Sequence, residues 1–415
     1  MHLLRHELKK IWNWRVLALL AVLAALVWSL PLRESAAGYD SMRTHGGYGS
    51  YQRELFQRYG NTLEPEEWAD YDVPGKIAAV QAETDALIAK SELFAKQGIH
   101  NYAQYLAFVD RDTSGLDDAE LERFMKITQD MRDQLSLRYD GQTLDEFYAS
   151  PQMRMMALKA LASAYGNPDD EYRLQSFIQR DERPVVVQAA REILSRRNSS
   201  LIRVDLVESA SMYAATVGVF SLVATLLLVT LPLSTDRTRQ VHLMQYSSRT
   251  GRRILRIQGA AMLISSLIVS ILSIALGAIP LLAEGAAEYR HASIQQCFSF
   301  FDMGLYDLTF GQYAMILCAM IMLLTVGTAA FVFILTRFSA NLMTLLIKIV
   351  PLGLALSGIA VLTIYQAFSS NNLLFSAVLR GRIVMPEPLL CAIIAGAGLL
   401  GAWWVTCREK HVDVG

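Results

Sequence analysis

A short acidic segment is the place where residue types and spacing come closest to metal chemistry. Asp110, Asp112 and Ser114 carry oxygen-bearing side chains at alternate positions, and Gly115 follows them. An EF-hand loop has oxygen ligands at its first, third and fifth positions, glycine at the sixth and a bidentate glutamate at the twelfth. The twelfth position here is Leu121, so the strongest ligand is missing. We interpret the segment as a polar turn that leads into a helix cap, with a weak calcium-like loop as the alternative.

No other motif in the sequence carries catalytic or nucleotide chemistry. The chain contains no G-x-x-x-x-G-K-[ST], no G-x-S-x-G and no C-x-x-C. Its four cysteines are too few and too scattered for a disulfide framework or a thiolate metal site. We therefore expect that the chain is not an enzyme and binds no metal, nucleotide or other cofactor of its own.

The distribution of charge indicates a polar domain set into a membrane protein. Hydrophobic residues make up 53% of the 415 residues, charged residues make up 19%, and the formal net charge is −1. This composition argues against a disordered chain and against a nucleic-acid-binding protein that depends on bulk positive charge. Residues 33–205 nevertheless contain 21 Lys and Arg and 29 Asp and Glu, which is most of the charge in the chain.

Six apolar stretches are long enough to cross a bilayer, which requires about 20 residues. They are residues 16–32, 211–233, 257–282, 312–336, 342–368 and 388–407. The first stretch could also be a signal peptide, because a basic start precedes it and small residues follow it. Three tryptophans beside it, Trp12, Trp14 and Trp28, resemble interfacial anchors and favour a retained helix.

Lysine and arginine in the connecting segments predict the orientation in a cell membrane. With the N-terminus in the cytoplasm, the inside segments contain 13 Lys and Arg, whereas the two short outer loops, 283–311 and 369–387, contain three. The positive-inside rule therefore predicts that residues 33–205 lie outside. It also predicts that both termini, including the tail 408–415, lie in the cytoplasm.

Helical periodicity predicts the fold class. Stripes such as Leu121 and Phe124 recur at helical spacing in residues 33–205, which lack long alternating strand-like runs. Asp117 and Glu120 have the spacing of a reciprocal helix cap. We predict an all-α polytopic membrane protein with six transmembrane helices and a large, mainly helical extracytoplasmic domain between helices 1 and 2.

Two cytoplasmic segments are candidates for more than a topology signal. Residues 1–15 predict a short amphipathic helix with Leu4, Leu8 and Ile11 on one face, which can lie in the membrane interface. In the loop 234–256, an apolar stretch is followed by a turn and several arginines. The alternative for both segments is a basic flank that only fixes topology.

Two short motifs in these segments resemble a known family. The start LRHELKKIW (Leu4–Trp12) and the run QYSSRTGRR (Gln245–Arg253) are similar to the permease subunits of type-two ATP-binding-cassette (ABC) transporters, also called type V exporters. The layout is similar as well, with a basic amphipathic start, six spans and both ends inside. A large domain after the first span is an elaboration found in only some members.

The resemblance implies a mechanism and partners. Two permease subunits, either two copies or two homologous chains, pair in the bilayer, and each docks on a separate ABC ATPase that holds ATP and Mg²⁺. The loop after span two acts as the coupling helix, and segment 369–387 often forms short re-entrant helices. The residues assigned to coupling are Asp236, Arg237, Arg239, Val241, Leu243, Met244 and Arg249.

Lys348 is an unusual residue for its position, because it lies inside the fifth apolar stretch. It is close to the predicted cytoplasmic end, where an extended lysine side chain can reach the interface. The alternative is that Lys348 faces a transport path or the seam between two permease subunits.

The leading hypothesis is the transmembrane subunit of an ATP-driven ABC transporter, an exporter of a peptide, a lipid or an amphipathic compound. The alternative is a membrane-anchored sensor or assembly protein whose outer domain binds a partner. A secondary transporter would show internal repeats and several buried charges, and the sequence shows neither. The expected partners are an ABC ATPase, a second permease subunit and the lipid bilayer, and no nucleic acid.

Overall fold

The computed structural model describes residues 2–32, 47–136, 143–165, 169–196, 199–202, 204–238, 251–283, 285–296, 303–339 and 341–408. The chain divides into two compact units. The apolar unit comprises Met1–Ala36, Asp181–Ala189 and Val204–Gly415, and the polar unit comprises Ala37–Arg180 and Ala190–Arg203. Residues 181–189 therefore belong with the apolar unit, although they lie within the predicted outer domain.

Helices make up most of the described chain. The apolar unit begins with α1 (His2–Ile11) and α2 (Trp14–Val27), and a π-helical turn (Trp28–Leu32) follows. The elements of the polar unit, in order, are α3 (Tyr48–Tyr59), β1 (Thr62–Leu63), α4 (Pro65–Tyr71), α5 (Val73–Lys90), α6 (Glu92–Ala95), α7 (Tyr102–Val109), α8 (Asp118–Leu135), α9 (Leu144–Ala149), α10 (Pro151–Tyr165) and α11 (Asp169–Arg180). Helix α12 (Pro184–Ser195) contributes to both units, and β2 (Ser199–Ser200) closes the polar unit.

The remaining elements build the rest of the apolar unit. They are α13 (Val204–Thr238), α14 (Gly251–Ala283), a 3₁₀ turn (Ala286–Tyr289), α15 (Phe310–Arg337), α16 (Leu342–Ile364), a π-helical turn (Leu374–Val378) and α17 (Pro386–Arg408). The predicted all-α fold class is therefore confirmed for the described residues.

The polar unit has a hydrophobic core of its own. One buried cluster includes Leu55, Val80 and Leu158, and a second includes Ile88 and Met131. Helix α5 contributes to both clusters, because Val80 and Ile88 are eight positions apart and lie on the same helix face. The prediction that this domain is mainly helical is confirmed.

A short antiparallel pairing joins an early and a late segment of the polar unit. Thr62 of β1 lies opposite Ser200 of β2, and Leu63 lies opposite Ser199. The pairing therefore brings the chain after α3 beside the last described residues of the unit. A core of its own and a pairing between distant segments are features expected of a segment that folds independently.

Five helices among the described residues are long and apolar enough to cross a membrane. They are Leu206–Pro232, Ile254–Ala283, Phe310–Arg337, Leu342–Ile364 and Pro386–Arg408, which are the apolar parts of α13 to α17. These helices identify a membrane-embedded protein. The sixth predicted span, residues 16–32, does not qualify alone. It qualifies only together with α1, as one span that is bent by 47° between the two helices.

The bend between α1 and α2 has a local cause. Asn13 adopts an extended backbone conformation, with φ −78° and ψ 137°, and its side chain accepts a hydrogen bond from the Arg15 amide. An asparagine in this conformation is a favourable N-cap, so Asn13 ends the first helix and starts the second. Six separate spans therefore stay a prediction.

Two predicted span boundaries differ from the helices. The fifth stretch, 342–368, stays helical only to Ile364, because Gln366 and Phe368 have positive φ angles of 51° and 65°. A right-handed helix cannot continue through that backbone region. The last helix begins at Pro386, in a position that suits proline, rather than at residue 388. Glu387 is therefore part of the helix and not of the preceding loop.

The amphipathic face of α1 packs on protein. Ile11 is buried in a cluster with Leu255 and Met262 of α14, and Leu4 and Leu8 pack against the same cluster. Leu4 and Leu8 are only partly buried by this packing, so a position of α1 in the membrane interface stays a prediction.

The indole of Trp12 fixes α1 to the bundle. Its Nε1 donates a hydrogen bond to Ser265 Oγ of α14 at 3.1 Å. Tryptophan that is buried in part finds such a partner for its N–H group. The contact therefore sets the position of α1 along α14.

The independent core of the polar unit gives a direct stability prediction. In a fragment of residues 47–202, Leu158→Ala should lower the free energy of unfolding by about 2–5 kcal/mol, because Leu158 is fully buried. Met156→Ala is the matched control on the same helix, since the Met156 side chain is 56% exposed, and should change it by less than about 0.5 kcal/mol. Urea unfolding followed by circular dichroism measures both. Equal effects of the two substitutions would contradict this core.

Candidate functional site

The predicted coupling residues are only partly within the described chain. Arg239, Val241, Leu243, Met244 and Arg249 lie outside the described residues. Their role in coupling stays a prediction.

The two remaining coupling residues lie on a helix. Asp236 and Arg237 belong to the last turn of α13, which continues to Thr238 and so extends beyond the predicted end of the second span. Helix α14 begins at Gly251, so the predicted loop 234–256 is helical at both of its ends.

Lys348 has a specific partner at the end of a neighbouring helix. Its Nζ donates to the Phe338 carbonyl oxygen at 2.7 Å and to Ser339 Oγ at 3.4 Å. Phe338 follows the last residue of α15, where carbonyl groups lack helical partners and a positive charge is favourable. The geometry favours an anchoring role, in which Lys348 fastens α16 to the end of α15. A role of Lys348 in a transport path stays a prediction.

The acidic segment after α7 forms a turn. The Ser114 amide donates to Asp112 Oδ1 at 2.9 Å, and this hydrogen bond lowers the pKa of the Asp112 carboxyl. Asp110 ends α7. Among the described residues no group of three or more His, Cys, Asp and Glu side chains is arranged to hold a metal ion. The interpretation as a polar turn agrees with this geometry.

The helix cap predicted after this turn is confirmed. The Glu120 amide donates to Asp117 Oδ1 at 2.7 Å, and the Asp117 amide donates to Glu120 Oε2 at 3.3 Å. The Arg111 guanidinium lies over the rings of Phe108 and Phe124, at 4.9 and 4.1 Å from their centroids. The residues between α7 and α8 therefore connect two helices of the polar unit.

A buried carboxyl group at the start of α17 was missed by the sequence analysis. Glu387 is fully buried, and its Oε1 accepts a hydrogen bond from the Phe368 amide at 3.3 Å. Its Oε2 has no hydrogen-bond partner among the described residues. A buried carboxyl oxygen without a hydrogen-bond partner is costly. Its signal in the sequence is an acidic residue directly before an apolar stretch. The predicted boundaries place this residue in the outer loop 369–387.

Aromatic rings surround the backbone that contacts Glu387. The Phe368 ring lies between Tyr306 and Tyr313, in edge-to-face contacts with centroid distances of 5.8 and 6.1 Å. The Tyr306 hydroxyl accepts a hydrogen bond from the Met385 amide at 2.8 Å, and burial raises the pKa of this hydroxyl. These contacts hold the left-handed backbone at Phe368 between α15 and α17.

Asn372 organises the turn that follows α16. Its Nδ2 donates to the carbonyl oxygens of Leu362 and Tyr365, at 3.2 and 3.0 Å. Its Oδ1 accepts from the amides of Leu374 and Phe375, at 2.9 and 3.2 Å. One buried side chain therefore forms hydrogen bonds with two carbonyl groups at the end of α16 and with two amides at the start of the π-helical turn. The re-entrant helices that the resemblance implies for segment 369–387 stay a prediction, and the structure shows the π-helical turn Leu374–Val378 there.

Arg183 contacts the same segment from a distant part of the sequence. Its Nη1 donates to the Ser370 carbonyl oxygen at 2.8 Å, and its guanidinium lies 5.6 Å from the centroid of the Phe375 ring. Gly381, with φ +66°, leaves room for it, since a Cβ there would lie 2.7 Å from Arg183 Cγ. Arg183 therefore holds the turn after α16 at three points.

Asp181 orients this arginine. Its carboxylate accepts hydrogen bonds from Arg183 Nε at 2.9 Å and from Nη2 at 2.6 Å, in a bidentate pair. Burial by itself would raise the pKa of Asp181, but the hydrogen bonds and the charge of Arg183 outweigh it, so the pKa is lowered. No motif in the sequence marked this pair, because the Ser370 carbonyl group that Arg183 binds lies 187 positions away.

Comparison of the chain with protein-family models, curated protein sequences and solved structures gives no match. The family resemblance therefore depends on the motifs and the layout of the sequence alone.

Arg183→Met tests the contact with the turn after α16. It removes the charge and the hydrogen bonds but keeps an apolar stem over Phe375, so we expect amide hydrogen exchange in residues 370–381 to rise about tenfold. Hydrogen exchange of the full chain, followed by mass spectrometry, measures this rise. Arg382→Met is the matched control, because Arg382 is exposed in the same segment. No change in Arg183→Met would contradict the contact.

The lowered pKa of Asp181 defines the pH range over which the contact between Arg183 and the turn after α16 should persist. Because the pKa of Asp181 is lowered in the folded protein, its stabilising effect is present above the ordinary value of about 3.9 and is lost as the pH falls through the folded value. Protection of residues 370–381, corrected for intrinsic exchange, should therefore stay constant between about pH 5 and 8.

Proposed function

We propose that this chain is the transmembrane permease subunit of an ABC transporter that is driven by a separate ATPase. The observation that supports it is the packing of α1 on α14. Ile11 shares a buried cluster with Leu255 and Met262 of α14, and Trp12 donates a hydrogen bond to Ser265 on the same helix. The first segment that resembles the family, Leu4–Trp12, therefore packs on the helix that begins at Gly251, within the second segment.

This arrangement suits a coupling surface that receives force from another protein. The chain carries no phosphate-binding loop, so the energy of ATP has to enter through contact with another subunit. The Trp12 hydrogen bond and a shared buried cluster fix α1 to α14. A displacement of the loop before α14 by the ATPase would therefore move both helices together. The proposed transport class is export of a peptide, a lipid or an amphipathic compound across the cell membrane, with a second permease subunit as partner.

A second candidate function follows from the polar unit. Its own core and the pairing of β1 with β2 indicate a separately folded domain, which is compatible with a membrane-anchored sensor or assembly protein. A sensor of this kind needs no ATPase, so isolation of the complex separates the two functions.

The coupling loop gives the test of the proposed function. Leu243→Asp combined with Met244→Asp should release the ATPase or abolish transport-linked ATP hydrolysis. The reason is that two carboxylates would have to be desolvated at the interface between the loop and the ATPase. Copurification of a P-loop ATPase in mild detergent and its hydrolysis rate are compared with those of the wild type at matched expression.

The matched control carries two substitutions to aspartate on the polar unit. Met125→Asp with Met156→Asp alters side chains that are 62% and 56% exposed and should leave ATPase binding unchanged. If the wild-type chain copurifies with no ATPase, the permease proposal fails and the sensor function is favoured. If the coupling variant binds and couples normally, the loop is only a topology signal.

The orientation is tested by cysteine labelling in a cysteine-free background. Because of the bias of Lys and Arg toward one side, Ser114→Cys should react with an impermeant thiol reagent on intact cells, and Ser248→Cys should react only after permeabilisation. Labelling of position 248 alone in intact cells would reverse the orientation.

A further inference from the structure

A groove between three of the apolar helices has no role in the function proposed above. It has a volume of about 240 Å³ and is lined by residues of α13, α14, α15 and the 3₁₀ turn after α14. Small residues provide the space, among them Ala214 of α13, Ala278 of α14 and Ala314 of α15. Nearly every side chain in the lining is apolar, so water in the groove is unfavourable and a hydrocarbon occupant is favourable.

The dimensions of the groove fit one leaflet of a bilayer. On α15 the lining extends from Phe310 to Ile321, which corresponds to roughly 16 Å of helix. Half of a typical hydrocarbon core is about 15 Å. A helix with its side chains is about 10 Å wide and would not fit this volume, whereas an extended acyl chain is much narrower.

A single charged side chain lines the same groove. Arg290 follows the 3₁₀ turn, just beyond the end of the candidate span Ile254–Ala283 and before the one that starts at Phe310. It therefore lies where the headgroup region of a membrane is expected. No carboxylate of the described residues forms an ion pair with Arg290, and its side chain is exposed.

The backbone and the side chain of Arg290 are both held in position. The Gly311 amide donates to the Arg290 carbonyl oxygen at 2.9 Å, and a Cβ on Gly311 would lie only 2.9 Å from that oxygen. Arg290 Nε donates to His291 Nε2 at 2.9 Å, which leaves both terminal nitrogens of the guanidinium as donors. Terminal nitrogens of this kind bind phosphate oxygens strongly.

We infer that this groove is a binding site for an anionic membrane lipid, with one acyl chain between α13, α14 and α15 and the anionic headgroup on Arg290. The apolar length and the position of the cation match the two parts of such a lipid. The inference concerns binding and does not depend on the presence of an ATPase, so it can fail without affecting the proposed function.

Native mass spectrometry of the delipidated full chain tests the site. Phosphatidylglycerol and phosphatidylcholine with the same acyl chains are the probes, and glycerol phosphate tests the headgroup without a chain. The wild type should bind phosphatidylglycerol about tenfold more tightly than phosphatidylcholine, since one charge-assisted contact distinguishes the two lipids. Glycerol phosphate should not bind measurably, because it lacks the apolar part.

Three variants and one matched control separate the two parts of the site. Arg290→Gln should reduce phosphatidylglycerol binding to the level of phosphatidylcholine, and Arg382→Gln, the matched control in another short loop, should not. Ala314→Phe should fill the groove and weaken both lipids, and Ala278→Phe repeats this test from α14 if the first variant does not fold.

Several results would overturn the inference. One is a preference for phosphatidylglycerol that survives Arg290→Gln, and another is an equal loss in Arg382→Gln. Lipid binding that is unaffected by filling the groove would place the lipid elsewhere. A wild-type dimer that binds no lipid and dissociates on Ala314→Phe would show that a second copy covers the groove.

Discussion

A buried backbone that turns between two apolar helices has to satisfy its own amide and carbonyl groups, because an unpaired buried polar group is costly. In this protein Asn372 meets that requirement with four hydrogen bonds, two to the end of α16 and two to the turn that follows. The position of the last helix depends on this turn. The turn begins with the left-handed residues Gln366 and Phe368, and the Phe368 amide donates to Glu387 at the start of α17.

Close packing of the apolar helices depends on small residues. A Cβ on Gly398 of α17 would lie 3.0 Å from the Gly327 carbonyl oxygen of α15, and a Cβ on Gly277 would lie 2.4 Å from Val217 Cγ2. Association of helices in a membrane is driven by such close contacts, since no hydrophobic effect operates between them there. Threonines within α15 remain compatible with this packing because Thr325 and Thr328 donate to their own helix, at 2.7 and 2.8 Å.

Local signals in the sequence predicted local structure well. The spacing of Asp117 and Glu120 predicted a reciprocal cap, and hydrophobic length predicted the five helices that qualify as spans. The bend at Asn13 was missed, because hydrophobicity averaged over a window does not respond to one capping residue. The pairing of Arg183 with Ser370 and the groove at Arg290 could not be predicted, since both depend on residues that are distant in sequence and adjacent only after folding.

Lys348 and Glu387 show how the length of a side chain determines where the charged group of an apolar helix lies. Lys348 has a long flexible stem, so its ammonium group reaches the carbonyl oxygen of Phe338 at the end of α15 and stays exposed. Glu387 has a short side chain and sits at the first turn of α17, so its carboxyl group stays where the helix places it, in full burial beside Phe368. The sequence signals of the two residues were similar, one charge within or beside an apolar stretch. Lys348 is exposed and Glu387 is buried because the two side chains differ in length. Only the lysine side chain can leave the apolar surroundings without movement of its backbone.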